Sequence, residues 1–180
     1  MKISPLVERP DLVAQVAAWG FAEWGHLNPG ETLEQRVVRI QGKMNVDRVP
    51  VAFVALDDSD SGGGGIAGTA SLIFDDLEGD PRNPWLASVF VPPAHRKKGI
   101  ASALVRTVEA TARRLGYSRL YLFTSTAPDL YAGLGWRPLE RRDYRGDGGS
   151  RPLVAGAHLV YAGSAHNDAT GHADLEAHHR

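Results

Sequence analysis

The apolar run WLASVFV, residues 85–91, ends at Pro92-Pro93, and after the cations of HRKK a single glycine, Gly99, opens a new pattern. Proline has no N–H for a strand ladder, so the run reads as a strand that stops there. Beyond Gly99, apolar residues recur at Ile100, Leu104, Val108, Ala112 and Leu115, with Arg106, Arg113 and Arg114 on the opposite side. That spacing predicts an amphipathic helix, which Gly116 stops. A strand, a basic glycine turn and a long helix in succession constrain this chain more than any other feature. Helix N-termini present unpaired N–H groups and the positive end of the macrodipole, so the join is built to hold an anion such as a phosphate.

The flanking segments read as parts of one globular unit. KISPLV is a short strand, and Asp11 is placed to cap the helix LVAQVAAWGFAEWG, which Gly25 ends. After Pro29-Gly30 a second helix carries Leu33, Val37, Ile40 and Met44 on one face and charges on the other. VPVAFVAL and IAGTASLIF are β-rich runs joined by DDSDSGGGG, a hairpin with a long tip. RLYLFTS is a further strand and PDLYAGL a short helix, while GWRPLERRDYRG and PLVAGAHLVYAG are two closing strands. The predicted order is β-α-α-β-β-β-α-β-α-β-β. Residues 1–163 form one domain, and the polar segment 164–180 is expected to be a disordered tail.

Composition narrows the function. With a net charge of -1 and a pI near 6.7, nucleic-acid and membrane-surface binding are not expected, so any basic site is local. There is no cysteine, which excludes disulfides, thiolate metal sites and cysteine nucleophiles. The N-terminal residues lack the apolar run of a signal peptide, so the expected compartment is the cytoplasm.

In Arg96-Lys97-Lys98-Gly99-Ile100-Ala101 the small residues permit close approach of an anion, the cations add charge-assisted contacts, and Ser102 can donate its hydroxyl. These six residues resemble the pyrophosphate loop Gln/Arg-x-x-Gly-x-Gly/Ala of the GCN5-related N-acetyltransferase (GNAT) family. A second segment, LYAGLGWRPLERRDY, is similar to that family's Tyr-x-x-x-Gly-Phe/Trp stretch. The resemblance covers about Ile3 to Tyr161. It implies an α/β (α+β) fold, with a mixed, mostly antiparallel sheet of about six to seven strands flanked by about four helices.

The same resemblance implies acetyl-coenzyme A as cosubstrate and no metal. Its pyrophosphate would lie on Arg96, Lys97, Lys98, Gly99, Ile100, Ala101 and Ser102. Its pantetheine amides would pair with Val89, Phe90 and Val91 by adding a strand-like arm to the sheet, with Ser125 and Thr126 near the arm on its other side. A primary amine would attack the thioester directly, and Tyr131 matches the tyrosine that protonates the departing thiolate. The strand at 85–91 carries no acid, so Glu23, His26, Asp76, Glu78 or water is left as general base. The acceptor is a small-molecule amine or a peptide N-terminus. If Arg137, Arg141, Arg142 and Arg145 face the cleft, an acidic acceptor is favoured. A monomer or homodimer is expected. Two alternatives stay open: transfer of a longer acyl group, and a non-catalytic acyl-coenzyme A sensor.

Two other signals are set aside. GGGGIAGT has the glycine spacing of a phosphate loop from Gly63 to Gly68, but Thr69 stands where a lysine is needed. His166, His172, His178 and His179 match no metal-site spacing.

Overall fold

A computed structural model describes residues 1–57, 65–142 and 152–159. Its strands are β1 (Lys2–Pro5), β2 (Val51–Asp57), β3 (Gly65–Ile73), β4 (Trp85–Phe90), β5 (Arg119–Thr124), β6 (Arg137–Arg141) and β7 (Leu153–His158). The α-helices are α1 (Val13–Trp24), α2 (Leu33–Gln41), α3 (Ile100–Arg114) and α4 (Pro128–Gly133). They follow one another in the predicted order. The strands form one seven-stranded sheet in the order β1-β2-β3-β4-β5-β7-β6. Every pairing is antiparallel except β4 with β5.

Both faces of the sheet are covered, and the strand sequences show it. In β2, Val51, Phe53 and Ala55 point into the cluster beneath α3, while Ala52 and Val54 point into the cluster beneath α1 and α2. Side chains alternate across a strand, so a run buried on both faces must be apolar at every position. From α3, Ile100, Leu104, Val105, Val108 and Ala112 join the first cluster. Gly68 lets this helix approach, because a Cβ there would lie 3.0 Å from Leu104 Cδ1 and 3.1 Å from Ile100 Cγ2.

Two local expectations are corrected and one is met. Asp11 does not cap α1; it lies in a 3-10 turn and pairs with Arg9 at 2.7 Å, and the helix begins after Leu12 with no side-chain cap. Gly25 ends α1 as expected: it is the C-cap, with right-handed helical angles, and the chain continues in a 3-10 turn, Gly25–Leu27. On α2, Leu33 is exposed whereas Arg36, expected on the charged outer face, is buried against Glu31 at 2.6 Å. Here ion pairing outweighs helical periodicity. α2 does have a capping box, formed by Thr32 and Gln35. Most of the hairpin tip between β2 and β3 and the whole of the expected tail, 164–180, lie outside the described residues.

Candidate active site

The site is built where the sheet comes apart. β4 and β5 share a single register pair, Trp85 with Tyr121, and beyond it the two parallel strands have no partner in each other. On its other edge β4 stays paired with β3, but the register slips between Thr69, opposite Phe90, and Ser71, opposite Ala87. Ser88 sits inside this slip with φ 55, a left-handed conformation rare for serine. This is a β-bulge, which leaves a residue out of the ladder and re-aims those around it. The bulge also exchanges the faces. Leu86 before it and Val89 and Val91 after it all contact the α3-side cluster, while Phe90 turns to the other side. There Phe90 meets Trp19 and Trp24, with ring centroids at 5.3 and 6.2 Å.

At the far end of β4 the chain makes the anticipated turn. Pro93–His95 is a 3-10 turn, Arg96 is extended, and Lys97 and Gly99 both take positive φ, 61 and 76. No atom lies within 4 Å of a Cβ built on Gly99, so conformation and open space both favour glycine. The first bond of α3 runs from the Ala103 N–H to the Gly99 carbonyl at 3.0 Å. The N–H groups of Ile100, Ala101 and Ser102 therefore precede the helical ladder and are free for an anion. Lys97 and Lys98 are exposed beside them, while Ile100 is buried and anchors the turn. Arg96 is turned back: its Nε donates to the Val91 carbonyl at 3.0 Å and ties the loop to the end of the strand.

A cavity of about 740 Å³ lies where β4 and β5 diverge. Ala87, Ser88 and Val89 line it from β4, Ser125 and Thr126 from the end of β5, and Tyr131 from α4. Val89, Ser125, Thr126 and Tyr131 thus share one space. Phe90, Val91 and residues 96–102 are not on its walls; they continue from it along the β4 edge to the start of α3. Tyr131 is 8% exposed, and burial pushes its phenol up to about 12. The Trp136 N–H donates to the Tyr131 carbonyl at 3.0 Å, and the two rings meet edge to face at 6.1 Å. The Trp136 indole donates in turn to the buried Glu109 of α3 at 2.8 Å. The aromatic of the second motif therefore fastens the tyrosine helix to the helix that starts at the Gly99 turn.

The cavity is also lined by Glu23, His26, Arg36, Arg39, Lys43 and Asp76, whereas Glu78 is not on its walls. Asp76 is half-buried, and desolvation pushes its carboxyl up to about 6 against the pull of Lys43. Lys43 is 8% exposed, and burial brings its ammonium down to about 8. The Glu31 carboxylate lies between Arg36 at 2.6 Å and Arg39 at 2.7 Å. The arginine run of β6 does not line this cavity. Arg137 and Arg141 are exposed on the strand at the sheet's edge, Arg142 pairs with Asp80 at 2.7 Å, and Arg145 lies outside the described residues. The reading of the sequence missed Lys43 and the bulge. Ser88 is not one of the residues that advertise positive φ, and a lysine just after a charged helix looks like a solvated one.

The sequence profile of the acetyltransferase (GNAT) family matches residues 14–136, which span α1 through the tyrosine helix to Trp136. The chain belongs to the GNAT acetyltransferase family. Human N-acetyltransferase 8 is 46% identical over 56 residues, a match that takes in 29% of this chain and 25% of that protein. Among solved structures, an aminoglycoside 6'-N-acetyltransferase complexed with coenzyme A superposes with a TM-score of 0.66. It is 15% identical, over 89% of this chain and 98% of that one. A second, yncA from Salmonella typhimurium with its cofactor acetyl-CoA, gives 0.63 at 16% identity and 98% of both chains. These structural likenesses establish the GNAT fold, a mostly antiparallel open sheet with helices on both faces. Among the described residues there is no group of side chains that could hold a metal ion, and no helix long and apolar enough to cross a membrane.

Proposed function

We propose that the protein transfers the acetyl group of acetyl-coenzyme A to the primary amine of an acceptor, by direct attack and without a covalent enzyme intermediate. The observation that carries this reading is the unpaired edge of β4, which runs from a cavity holding Tyr131 to the Gly99 turn of α3. Acetyl-coenzyme A supplies an activated thioester at the end of an amide-bearing arm with an anionic pyrophosphate. The residues present suit each part of that molecule. The N–H groups of 100–102 with Lys97 and Lys98 hold the pyrophosphate. The edge at Val89–Val91 pairs with amides, as an added strand would, and Ser125 and Thr126 face the arm from β5. Arg96 acts differently from the simple expectation, since its Nε is engaged by Val91 and its remaining donors are those left for phosphate.

The bulge at Ser88 takes main-chain N–H groups out of the ladder at the point where a thioester carbonyl would need polarising, and Tyr131 donates a proton or hydrogen bond to sulfur. Glu23, His26 and Asp76 border the acceptor side and remain candidates for base together with water. The test is calorimetric titration with coenzyme A, followed by acetyl-coenzyme A-dependent thiol release with amino acids, polyamines, aminoglycosides and peptides. Binding with turnover of at least one amine is expected. Binding without any turnover would favour an acyl-coenzyme A sensor, and no binding would sink the site assignment.

A further inference from the structure

The side chain of Lys43 sets the acceptor side apart. Its Nζ donates to Ser71 Oγ at 3.5 Å, a long contact, and among the described residues no carboxylate pairs with it within 4 Å. Yet the residue is more than nine-tenths buried and lies on the cavity wall. A buried ammonium met only by a long hydroxyl contact and by a carboxylate, Asp76, beyond ion-pair distance is costly, and a ligand carboxylate would supply the close anion. Its position is specific. Ser71 is the cross-strand partner of Ala87, and Ala87 immediately precedes the bulged Ser88. Paired residues on adjacent antiparallel strands are only about 4.5–5.5 Å apart between Cα atoms. Lys43 therefore holds its charge one cross-strand step from the place where the acetyl carbonyl would be polarised.

The remaining charges do not make the cavity simply basic. Asp76 also lines the cavity and interacts electrostatically with Lys43, while Arg36 and Arg39 are engaged by Glu31. A lining with a separated cation and anion suits a ligand that itself carries both charges, better than a plain amine or a plain acid. We propose that the acceptor is a free α-amino acid, its carboxylate bound by Lys43 and its amino group thereby placed beside the Ser88 bulge. In the reaction the acceptor nitrogen forms the amide C–N bond as the C–S bond breaks. Of the two protons lost by the ammonium and its amine, one ends on the coenzyme thiol and one in solvent.

The inference rests on the acetyltransferase reading above, and the experiment separates the two. The twenty common α-amino acids are assayed for thiol release with the wild-type protein, alongside the carboxamides and decarboxylated amines of those that react. A charge-assisted hydrogen bond to the carboxylate predicts kcat/KM at least about 30-fold higher for the acid than for either derivative. In Lys43→Met this preference should fall to within about fivefold, with thermal unfolding verifying that the variant is folded. Equal use of the uncharged derivatives, or no turnover of any α-amino acid, would overturn the proposal. Coenzyme A binding with another amine acetylated would leave the acetyltransferase reading standing, and loss of binding as well would remove both.

Discussion

Changing Tyr131 to phenylalanine isolates one oxygen at the sulfur end of the site. The ring is 8% exposed and meets Trp136 edge to face at 6.1 Å, so phenylalanine keeps the packing and removes only the donor. Burial holds the phenol at about 12. A phenol raised this far by burial gives up its proton reluctantly, which disfavours full transfer to the thiolate. In the proposed reaction its part is therefore hydrogen-bond donation to the developing thiolate rather than full proton transfer. A hydrogen bond to a charged group contributes about 1.5–3 kcal/mol, so Tyr131→Phe should lower kcat by roughly 10- to 150-fold. The KM for acetyl-coenzyme A should stay within about twofold, because the interaction develops only as the bond breaks. Thiol release at saturating cosubstrate gives kcat, and a thermal melt verifies that packing is intact. Since the phenol stays protonated to high pH, the wild-type pH profile should show no falling limb from Tyr131 below about pH 10. A variant within twofold of wild type in kcat, with unchanged melting, would refute the role of this hydroxyl.

Gly68→Ala should destabilise the fold by about 1–3 kcal/mol in urea unfolding, because the new methyl meets Leu104, Ile100 and the Phe90 carbonyl at 3.0–3.1 Å. It should also weaken coenzyme A binding by lifting the start of α3. Gly99→Val imposes a β-branched residue on φ 76 and should reduce coenzyme A affinity at least about tenfold by titration calorimetry. Glu109→Ala leaves the buried Trp136 indole N–H unpaired and should cost about 1–3 kcal/mol, whereas Glu109→Gln, which can still accept that bond, should cost less. Lys43 is brought from 10.5 down to about 8 by burial, so the unfolded chain binds more protons between those values and stability rises as pH increases from about 8 to 10.5. Lys43→Met should abolish that rise and stabilise the protein at pH 7 by up to about 3 kcal/mol in denaturant melts, even as it impairs acceptor selection.

How much of this was legible in the sequence depends on whether a feature is made of neighbours in the chain. The strand and helix order could be read because β2 and α3 carry long, clean periodicities that tertiary packing has no reason to override. The Gly99 turn could be read for a similar reason: cations, glycine and helix start are consecutive, and a helix N-terminus creates its own anion site. The Ser88 bulge could not, since nothing in WLASVFV distinguishes a continuous strand from one whose faces exchange midway. Only the register against Thr69 and Ser71 reveals it. Whether the arginine run faces the cleft was not legible, because that depends on strand order: β6 is the outermost strand and Arg142 is engaged by Asp80.

The acceptor side is the extreme case. Lys43 follows α2, Ser71 belongs to β3, Asp76 follows β3 and Ala87 lies on β4, so their meeting depends on the packing of α2 against the sheet and on one particular strand register. This division has a consequence for how such a chain can change. The proposed cofactor end rests mainly on backbone, on the conformation at Gly99 and the parting of β4 from β5. The acceptor end depends on separate side chains, and a single replacement at position 43 can alter which amine is chosen while the backbone of the coenzyme site stays intact. Acceptor choice and cofactor binding should therefore be separable by mutation: Lys43→Met should lower the preference for the carboxylate at least about sixfold and leave coenzyme A affinity within about twofold. A parallel loss of both would show that Lys43 supports the whole cleft rather than the acceptor alone.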